Sequence, residues 1–313
     1  MQEPEFNSAD KVFEAEQRKR RTKLTVRILV VVLSLLVVSG IVAAVLLIHR
    51  YYGLMDYQAV SSQEPVPEPV ELEHILVVGL DKDDPEGGSR TDTIIVVTVN
   101  PETEELTLTS FLRNLYVEIP GHGQDKLGYA YAKGGMELLQ STMQSNFDIN
   151  IDRYVTIDFE AFRAIVDAIG GLELDLGETD LKYIFPGEEK EPGKYLLNGQ
   201  QALVYAWWIE GGDDSGRTFR QRTIMTKSFE KIRTIPAEEL DAMLVETLPK
   251  VTTDFTEGDC YSVLFGLAGL SKYPIRSQQV PFADTWETIV VDDSRVISFD
   301  LEENVRLFFE SVE

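Results

Sequence analysis

Carboxylates and arginines stand at the ends of apolar runs that predict strands. Asp81 ends the first run, Arg90 and Asp92 lie just before the second strand, and Arg113 follows the third. Ligands of open α/β sheets gather at strand ends. Magnesium takes oxygen ligands, and the guanidinium fork fits phosphate oxygens. These residues predict a site for a magnesium-bound phosphate or pyrophosphate, and the alternative is a set of solvated loop charges.

A helix predicted after Gly216 adds three arginines in the segment DSGRTFRQR. Arg217, Arg220 and Gln221 stand at i, i+3 and i+4 and so share one face. Arg217 lies in the first turn, where a bound anion would offset the unfavourable placement of a cation. We therefore predict Arg217 and Arg220 as phosphate ligands, with Gln221 beside them. Arg222 points about 140° away from Arg217 and is expected to form a surface pair.

Standard catalytic motifs are missing from the chain. It has no G-x-S-x-G elbow, Walker A loop, H-E-x-x-H helix or G-x-G-x-x-G turn. His74 begins a strand and His122 lies in a Gly-His-Gly turn, so both are expected to be structural. The single cysteine, Cys260, excludes an intrachain disulfide and a Cys-rich metal site. The net charge of −24 argues against nucleic-acid binding, which needs a basic surface.

The elements that must position these residues alternate between strand and helix, which indicates the α/β class. The C-terminal residues 285–312 predict a hairpin or strand followed by a helix. The other predicted strands are His74–Asp81, Thr91–Asn100, Glu105–Leu112, Asp152–Phe159 and Leu172–Leu176, and the other predicted helices are Gly134–Phe147, Glu160–Gly171 and one that Asp214 or Ser215 can cap.

A membrane anchor is predicted at Ile28–Ile48, which holds 21 residues without a charge. About 20 apolar residues cross the hydrocarbon core. Basic residues precede this segment, so the positive-inside rule places residues 1–27 in the cytoplasm and the bulk of the chain outside. The alternative is a cleaved signal peptide, whose apolar region is usually shorter. Residues 49–72 predict an extended Pro/Glu linker, and residues 73–313 predict the extracellular domain.

These motifs resemble those of the LytR–CpsA–Psr family of Gram-positive cell-envelope proteins. The resemblance runs from Glu73 to about Arg233 and is carried by several long segments in the same order. They include ILVVGLD, SRTDTIIVVTVNPETEELTLTSFLRNLYVEIPGHGQDKLGYAYAKGG, INIDRYVTIDFEAFRAIVDAIGGLELDL, YLLNGQQALVYA and DDSGRTFRQR.

The resemblance implies a single α-β-α domain with a central mixed sheet and a long apolar pocket for a polyprenyl chain. It implies transfer of a glycopolymer from undecaprenyl (pyro)phosphate onto peptidoglycan. It further implies that Mg²⁺, or Mn²⁺ in its place, is bound by two aspartates and that arginines bind the pyrophosphate. Mapped onto this chain, the metal ligands are Asp81 and Asp92, the phosphate ligands are Arg90, Arg113, Arg217, Arg220 and Gln221, and the catalytic residues are Asp92, Arg113 and Arg217.

The chain departs from the family pattern at Trp207, Trp208 and Ile209, where members usually carry Arg-x-Arg. Tryptophan cannot replace a bidentate arginine contact to phosphate. Trp207 and Trp208 are instead predicted to line the pocket, by stacking on a sugar or facing a lipid, and core packing is the alternative. Two other functions therefore remain open beside transfer: a binding paralogue without turnover and a phosphatase that acts on the prenyl (pyro)phosphate.

Overall fold

The computed structural model describes residues 45–61, 64–67, 72–81, 90–209, 214–259 and 272–313. The predicted cytoplasmic tail, 1–27, lies outside these residues, as does nearly all of the predicted anchor, 28–48. Within the described part of the chain, no helix is long and apolar enough to cross a membrane. The chain forms two compact units, residues 1–50 and residues 51–313.

A seven-stranded mixed sheet forms the centre of residues 51–313. Its strand order is β1-β10-β7-β2-β3-β4-β11. The pairs β1–β10, β7–β2 and β4–β11 are parallel, and the other neighbours are antiparallel. These strands are β1 (Asp56–Tyr57), β2 (Glu73–Asp81), β3 (Arg90–Asn100), β4 (Glu105–Phe111), β7 (Arg153–Asp158), β10 (Val251–Thr253) and β11 (Ile275–Val280).

Three two-stranded sheets and several helices surround the central sheet. The small sheets pair β5 (Tyr116–Ile119) with β6 (Gly123–Lys126), β8 (Leu172–Leu176) with β9 (Gly193–Leu197), and β12 (Trp286–Val291) with β13 (Ser294–Phe299). The helices around the sheet include α1 (Tyr129–Phe147), α2 (Phe159–Ala168), α3 (Glu178–Ile184), α4 (Gly199–Trp207), α5 (Asp214–Ile232), α6 (Ala237–Thr247) and α7 (Leu301–Val312), with a 3₁₀ turn at Leu248–Lys250.

Both faces of the sheet are apolar because helices cover both. Leu76 and Val78 point to a core shared with α1 and α7. Ile95 and Val97 of β3 point to the other face, where Met225 of α5 packs against them. Strands buried on two sides read as continuous apolar runs, which explains the sequences of β2 and β3. The α/β class with a central mixed sheet is thus confirmed.

The predicted helix ends follow local chemistry. Gly170 and Gly171 have φ of 79° and 81°, and they end the turn after α2 as the sequence predicts. The helix predicted as Gly134–Phe147 follows a kink at Gly134 and Gly135, whose backbone is not helical, and α1 also includes the turn from Tyr129 that precedes the kink. Asn198 caps α4, and its side chain accepts a hydrogen bond from the Gln201 amide.

Part of the predicted linker lies on the domain. β1 pairs with β10 at the sheet edge, and Tyr154 Oη donates to the Gln58 carbonyl at 2.6 Å. The Val66 backbone exchanges two hydrogen bonds with the Asn150 side chain, of 2.9 and 2.8 Å. The compact unit accordingly begins at Tyr51.

Candidate active site

Two cavities meet at the carboxyl end of β2. The apolar cavity, about 240 Å³, lies between the sheet, α2, α4 and α5, and residues such as Val77, Phe162 and Met225 line it. The polar cavity, about 520 Å³, is lined by Asp81, Asp92, Arg113, Tyr183, Val204, Trp207, Trp208, Ile209 and Arg217. Asp92 and Trp207 line both cavities, so they stand where an apolar compartment joins a charged one.

A β-bulge places Asp92 at this junction. Gly79 pairs with Thr93 and Leu80 pairs with Thr91, which leaves Asp92 as the extra residue of β3. A bulge turns its extra side chain away from the regular alternation, and this one points a carboxylate into the site. The Asp92 side chain is 7% exposed, so its charge depends on partners supplied by the protein.

Arg113 is the first partner of Asp92. It follows β4, and its Nη1 donates to Asp92 Oδ1. Gly128 holds the Arg113 backbone, because the Gly128 amide donates to the Arg113 carbonyl at 2.8 Å. A Cβ on Gly128 would lie 3.1 Å from Arg113 Cβ and from the carbonyls of Arg113 and Thr91. Glycine therefore permits the close packing that sets Arg113 beside the bulge.

Arg217 lies in the first turn of α5 and is almost fully buried, with a side chain 1% exposed. Its Nη2 is 2.9 Å from Asp214 Oδ1, and its Nη1 is 3.9 Å from Asp92 Oδ1. Its Nε and Nη2 nevertheless have no acceptor in hydrogen-bonding alignment. Burial lowers the pKa of Arg217, and the like charge of Arg113 lowers it further. The site thus contains buried guanidinium donors that lack acceptors.

Asp214 is a site residue that the sequence identified only as a possible helix cap. Its Oδ1 lies 3.7 Å from Arg113 Nη2 as well as near Arg217. The i, i+3 spacing from Asp214 to Arg217 is the signal that could have predicted this pair. Among the described side chains, the carboxylates of Asp81, Asp92 and Asp214 consequently accompany the guanidinium groups of Arg113 and Arg217.

Arg220 and Gln221 lie at the carboxyl end of α4. Arg220 Nε donates to the Tyr205 carbonyl at 2.8 Å, and its Nη2 donates to the Trp208 carbonyl. Gln221 Nε2 lies 3.5 Å from the Ala206 carbonyl, and Gln221 lines the apolar cavity. The last carbonyls of a helix lack intrahelical donors, so these side chains cap α4. Phosphate binding by Arg220 and Gln221 stays a prediction.

The two tryptophans line the polar cavity. The half-exposed Trp207 directs Nε1 toward Asp92 Oδ2 at 3.3 Å and packs edge-on against Phe159. Trp208 lies parallel to Tyr183, with ring centroids 4.7 Å apart and an interplanar angle of 4°. Sequence reasoning did not identify Tyr183, since an isolated tyrosine on a short helix gives no signal.

The two predicted metal ligands line the same cavity, while the Arg90 side chain lies outside the described part. Asp81 is paired with Arg90 through the β2–β3 backbone register. Within the described residues, no group of three or more His, Cys, Asp or Glu side chains could hold a metal alone. Magnesium is commonly bound through one or two carboxylates plus substrate phosphates, so Asp81 and Asp92 fit that use.

Arg222 differs from its prediction as a surface pair. The side chain is 6% exposed, and its Nε and Nη1 have no hydrogen-bond acceptor. Burial lowers its pKa to about 10. The prediction was wrong because α5 is covered on more than one side: Thr218, one turn earlier, donates to Gln279 Oε1 of β11 at 2.8 Å.

Comparison with known proteins identifies the fold and the family. The sequence profile of the LytR_cpsA_psr family matches residues 53–302. The chain belongs to this family. A relative from Enterococcus faecalis, named polyisoprenyl-teichoic acid–peptidoglycan teichoic acid transferase TagU, is 38% identical over 164 residues. That match covers 50% of this chain and 53% of TagU, so the chain spans about half the length of this relative.

Solved LytR_cpsA_psr structures share the architecture. TagT bound to LIIa-WTA superposes with a TM-score of 0.68 at 19% identity, covering 82% of this chain and 98% of TagT. TagT with bound octaprenyl pyrophosphate lipid gives a TM-score of 0.62 at 19% identity, covering 82% and 97%. At this identity the likeness establishes the fold, and the arrangement of charged residues must be judged from this chain itself.

Proposed function

We propose that this protein is a membrane-anchored transferase that moves a glycopolymer from a polyprenyl (pyro)phosphate carrier onto peptidoglycan. Residues 28–48 would be the single anchor, with residues 1–27 in the cytoplasm and the domain outside the cell. The named activity of TagU and the lipid bound to TagT support the substrate classes. The charged cluster of this chain supports the chemistry.

The observation that carries the proposal is the buried Arg217, whose Nε and Nη2 lack hydrogen-bond acceptors. Arg217 is ion-paired with Asp214, but a buried donor without a well-aligned acceptor is costly, and a phosphate bound in the polar cavity would supply acceptors in the fork geometry that arginine favours. The apolar cavity meets the same point at Asp92. A prenyl phosphate has this combination of an apolar chain and an anionic head.

The carboxylates of the site suit a divalent cation. Among the described side chains, Asp81 and Asp92 line the same cavity, and Asp214 lies beside Arg113 and Arg217. Asp81 and Asp92 would hold Mg²⁺ or Mn²⁺, which when bound would neutralise charge on the phosphate and polarise it.

In the proposed reaction, a peptidoglycan hydroxyl oxygen attacks the phosphorus that bears the glycopolymer. A new oxygen–phosphorus bond forms, the bond to the lipid phosphate breaks, and the lipid monophosphate leaves. Arg113 and Arg217 orient the phosphates and stabilise charge on the leaving group. Asp92 would take the hydroxyl proton on Oδ1, which requires release of its contact with Arg113, since Oδ2 is the oxygen proposed for the metal.

The test is transfer by the full chain in detergent, with a lipid-linked teichoic acid, Mg²⁺ and peptidoglycan. The expected result is covalent attachment of polymer to peptidoglycan that requires the metal and is lost in Asp92→Asn. The matched control is Arg276→Lys, which alters a well-exposed arginine on β11. Absence of transfer by folded protein with several polymers would overturn the proposal, and release of inorganic phosphate without attachment would identify a phosphatase.

A second candidate is a binding protein without turnover, and Trp207 favours it. Its indole contacts Asp92 Oδ2, and the resemblance implies that family members usually have an arginine at this position of the sequence. This candidate predicts that the wild type binds a prenyl diphosphate but transfers nothing. The double variant Trp207→Arg/Ile209→Arg would then gain transfer activity. If the wild type already transfers polymer and the double variant does so at the same rate, the first candidate is supported.

A further inference from the structure

Trp208 is the middle layer of a three-layer stack on one wall of the polar cavity. The Arg220 guanidinium carbon lies 3.6 Å from the Trp208 ring centre. The Tyr183 ring lies parallel to Trp208 at 4.7 Å. A cation and a ring at these distances occupy opposite faces of the indole, so both faces of Trp208 are covered. Trp208 therefore cannot stack on a ligand while the stack is intact.

Tyr183 is the outer layer of this stack and is available to a ligand. Its side chain is 42% exposed, and it lines the polar cavity together with Arg113 and Arg217. The layers behind it restrict its motion, because Arg220 is fixed by two backbone carbonyls at the end of α4. The cavity thus has a rigid aromatic wall and a cationic wall within one volume.

We infer that the Tyr183 ring is a saccharide subsite that packs against the first sugar attached to the phosphate of the lipid-linked polymer. A pyranose has an apolar face of C–H groups, which suits a flat aromatic surface, while the guanidinium groups of Arg113 and Arg217 suit the phosphate beside it. This inference rests on the proposed function, because it assumes a glycosyl phosphate in the cavity.

The arrangement of the two cavities favours a sugar over the lipid as the ligand of Tyr183. The apolar cavity extends from Trp207 toward Phe229 and Ile232, and Tyr183 does not line it. A prenyl chain in that cavity with its phosphate at Asp92 leaves the polar cavity for the group on the far side of the phosphate. In a lipid-linked polymer this group is a sugar.

The experiment compares two soluble probes, farnesyl diphosphate and the same lipid bearing N-acetylglucosamine on its terminal phosphate, by calorimetric titration of the full chain with Mg²⁺. The wild type is expected to bind the sugar-bearing probe about 3- to 10-fold more tightly. Tyr183→Ala should abolish this advantage, because Trp208 lies one ring spacing farther from the sugar and cannot replace Tyr183. The affinity for farnesyl diphosphate, which has no sugar, should stay the same. Tyr183→Phe should retain it.

The matched control is Tyr57→Ala, since Tyr57 is 43% exposed and lines neither cavity. If Tyr183→Ala unfolds, Tyr183→Leu fills similar volume without a ring and takes its place. If variants without the ring still bind the sugar-bearing probe more tightly, the saccharide subsite at Tyr183 is overturned and the proposed function is not affected. Failure of the wild type to bind farnesyl diphosphate overturns the proposed function, and the subsite with it.

Discussion

Arg217 shows how a single residue can be prepared for a ligand. It is buried beside Asp214 and Asp92, yet two of its nitrogens lack hydrogen-bond acceptors. A buried arginine stripped of water is destabilising unless anions surround it, and here the protein supplies carboxylates at imperfect geometry. The residue is therefore expected to contribute more to ligand binding than to folding.

Arg217→Lys should lower kcat/KM for polymer transfer by about 100-fold. A lysine ammonium cannot make bidentate hydrogen bonds to phosphate oxygens while it also contacts the Asp214 carboxylate. Transfer rates at several lipid concentrations give the value. Arg222→Lys is the matched control, since Arg222 is a buried arginine of the same helix that does not line the described cavities. Equal losses in the two variants would show that Arg217 acts only through folding.

Trp207 and the metal are expected to compete for Asp92 Oδ2. Trp207→Phe removes the 3.3 Å indole contact and should tighten Mn²⁺ binding by about 2- to 10-fold, the range given by one modest hydrogen bond. Titration of Mn²⁺ followed by electron paramagnetic resonance measures the affinity. Trp286→Phe alters a tryptophan on β12 and should leave it unchanged. Weaker or equal binding by Trp207→Phe would contradict the competition.

The sequence was informative about charged residues whose surroundings are local. Asp81, Asp92 and Arg113 were placed at strand ends by the apolar runs beside them, and all three line one cavity. Arg220 could not be distinguished from Arg217, because helical spacing says which residues share a face but not what packs there. The partner of Arg220 is the end of α4, a tertiary contact with no signature in the chain.

At the scale of elements, α4 ends at Trp207 with Trp208 directly after it, and the position of α4 depends on close approach to α2. A Cβ on Gly199, the first residue of α4, would lie 2.3 Å from the Arg163 carbonyl and 2.7 Å from Arg163 Cα. These are backbone atoms that cannot rotate away. The contact fixes the start of α4, while Arg220 fixes its end.

Gly199→Ala should lower the free energy of unfolding by about 3 kcal/mol, because the added methyl forces the two helices apart. Urea unfolding monitored by tryptophan fluorescence measures the change. Gly177→Ala serves as the control at another helix start, where the nearest atom to a new Cβ is 3.6 Å away. Gly177→Ala should lower the free energy of unfolding by no more than about 1 kcal/mol. A loss as small as this for Gly199→Ala would contradict the packing argument.

The elements themselves were largely predictable, and their sheet order was not. Alternating apolar runs and glycine stops predicted β2, β3, β4, β7 and β8 to within one or two residues. The edge positions of β1 and β10 were not predicted, because strands of two and three residues leave no period to detect. Pairing between residues 56 and 252 is a property of the closed fold.

At the scale of the whole molecule, one ion pair joins the start of β7 to the chain beyond β10. Arg153 Nε and Nη2 donate to the two Asp259 oxygens at 2.6 and 2.8 Å, and the Thr256 amide and hydroxyl both donate to Oδ2 at 2.7 Å. Burial raises the pKa of Asp259, but these hydrogen bonds outweigh it and lower the pKa to about 2. The folded state thus favours the ionised carboxylate.

This shift predicts how stability depends on pH. A carboxyl group with a pKa lowered from 3.8 to about 2 contributes stability above about pH 4, and the contribution is lost as pH falls toward 2. Asp259→Asn should cost about 1 kcal/mol at pH 7, and the difference from wild type should shrink between pH 4 and pH 2. Urea unfolding at several pH values measures both. As a control, Glu303→Gln breaks an exposed ion pair on α7 and should lower the free energy of unfolding at pH 7 by less. If the difference between Asp259→Asn and wild type is the same at all pH values, lost packing rather than lost charge explains it.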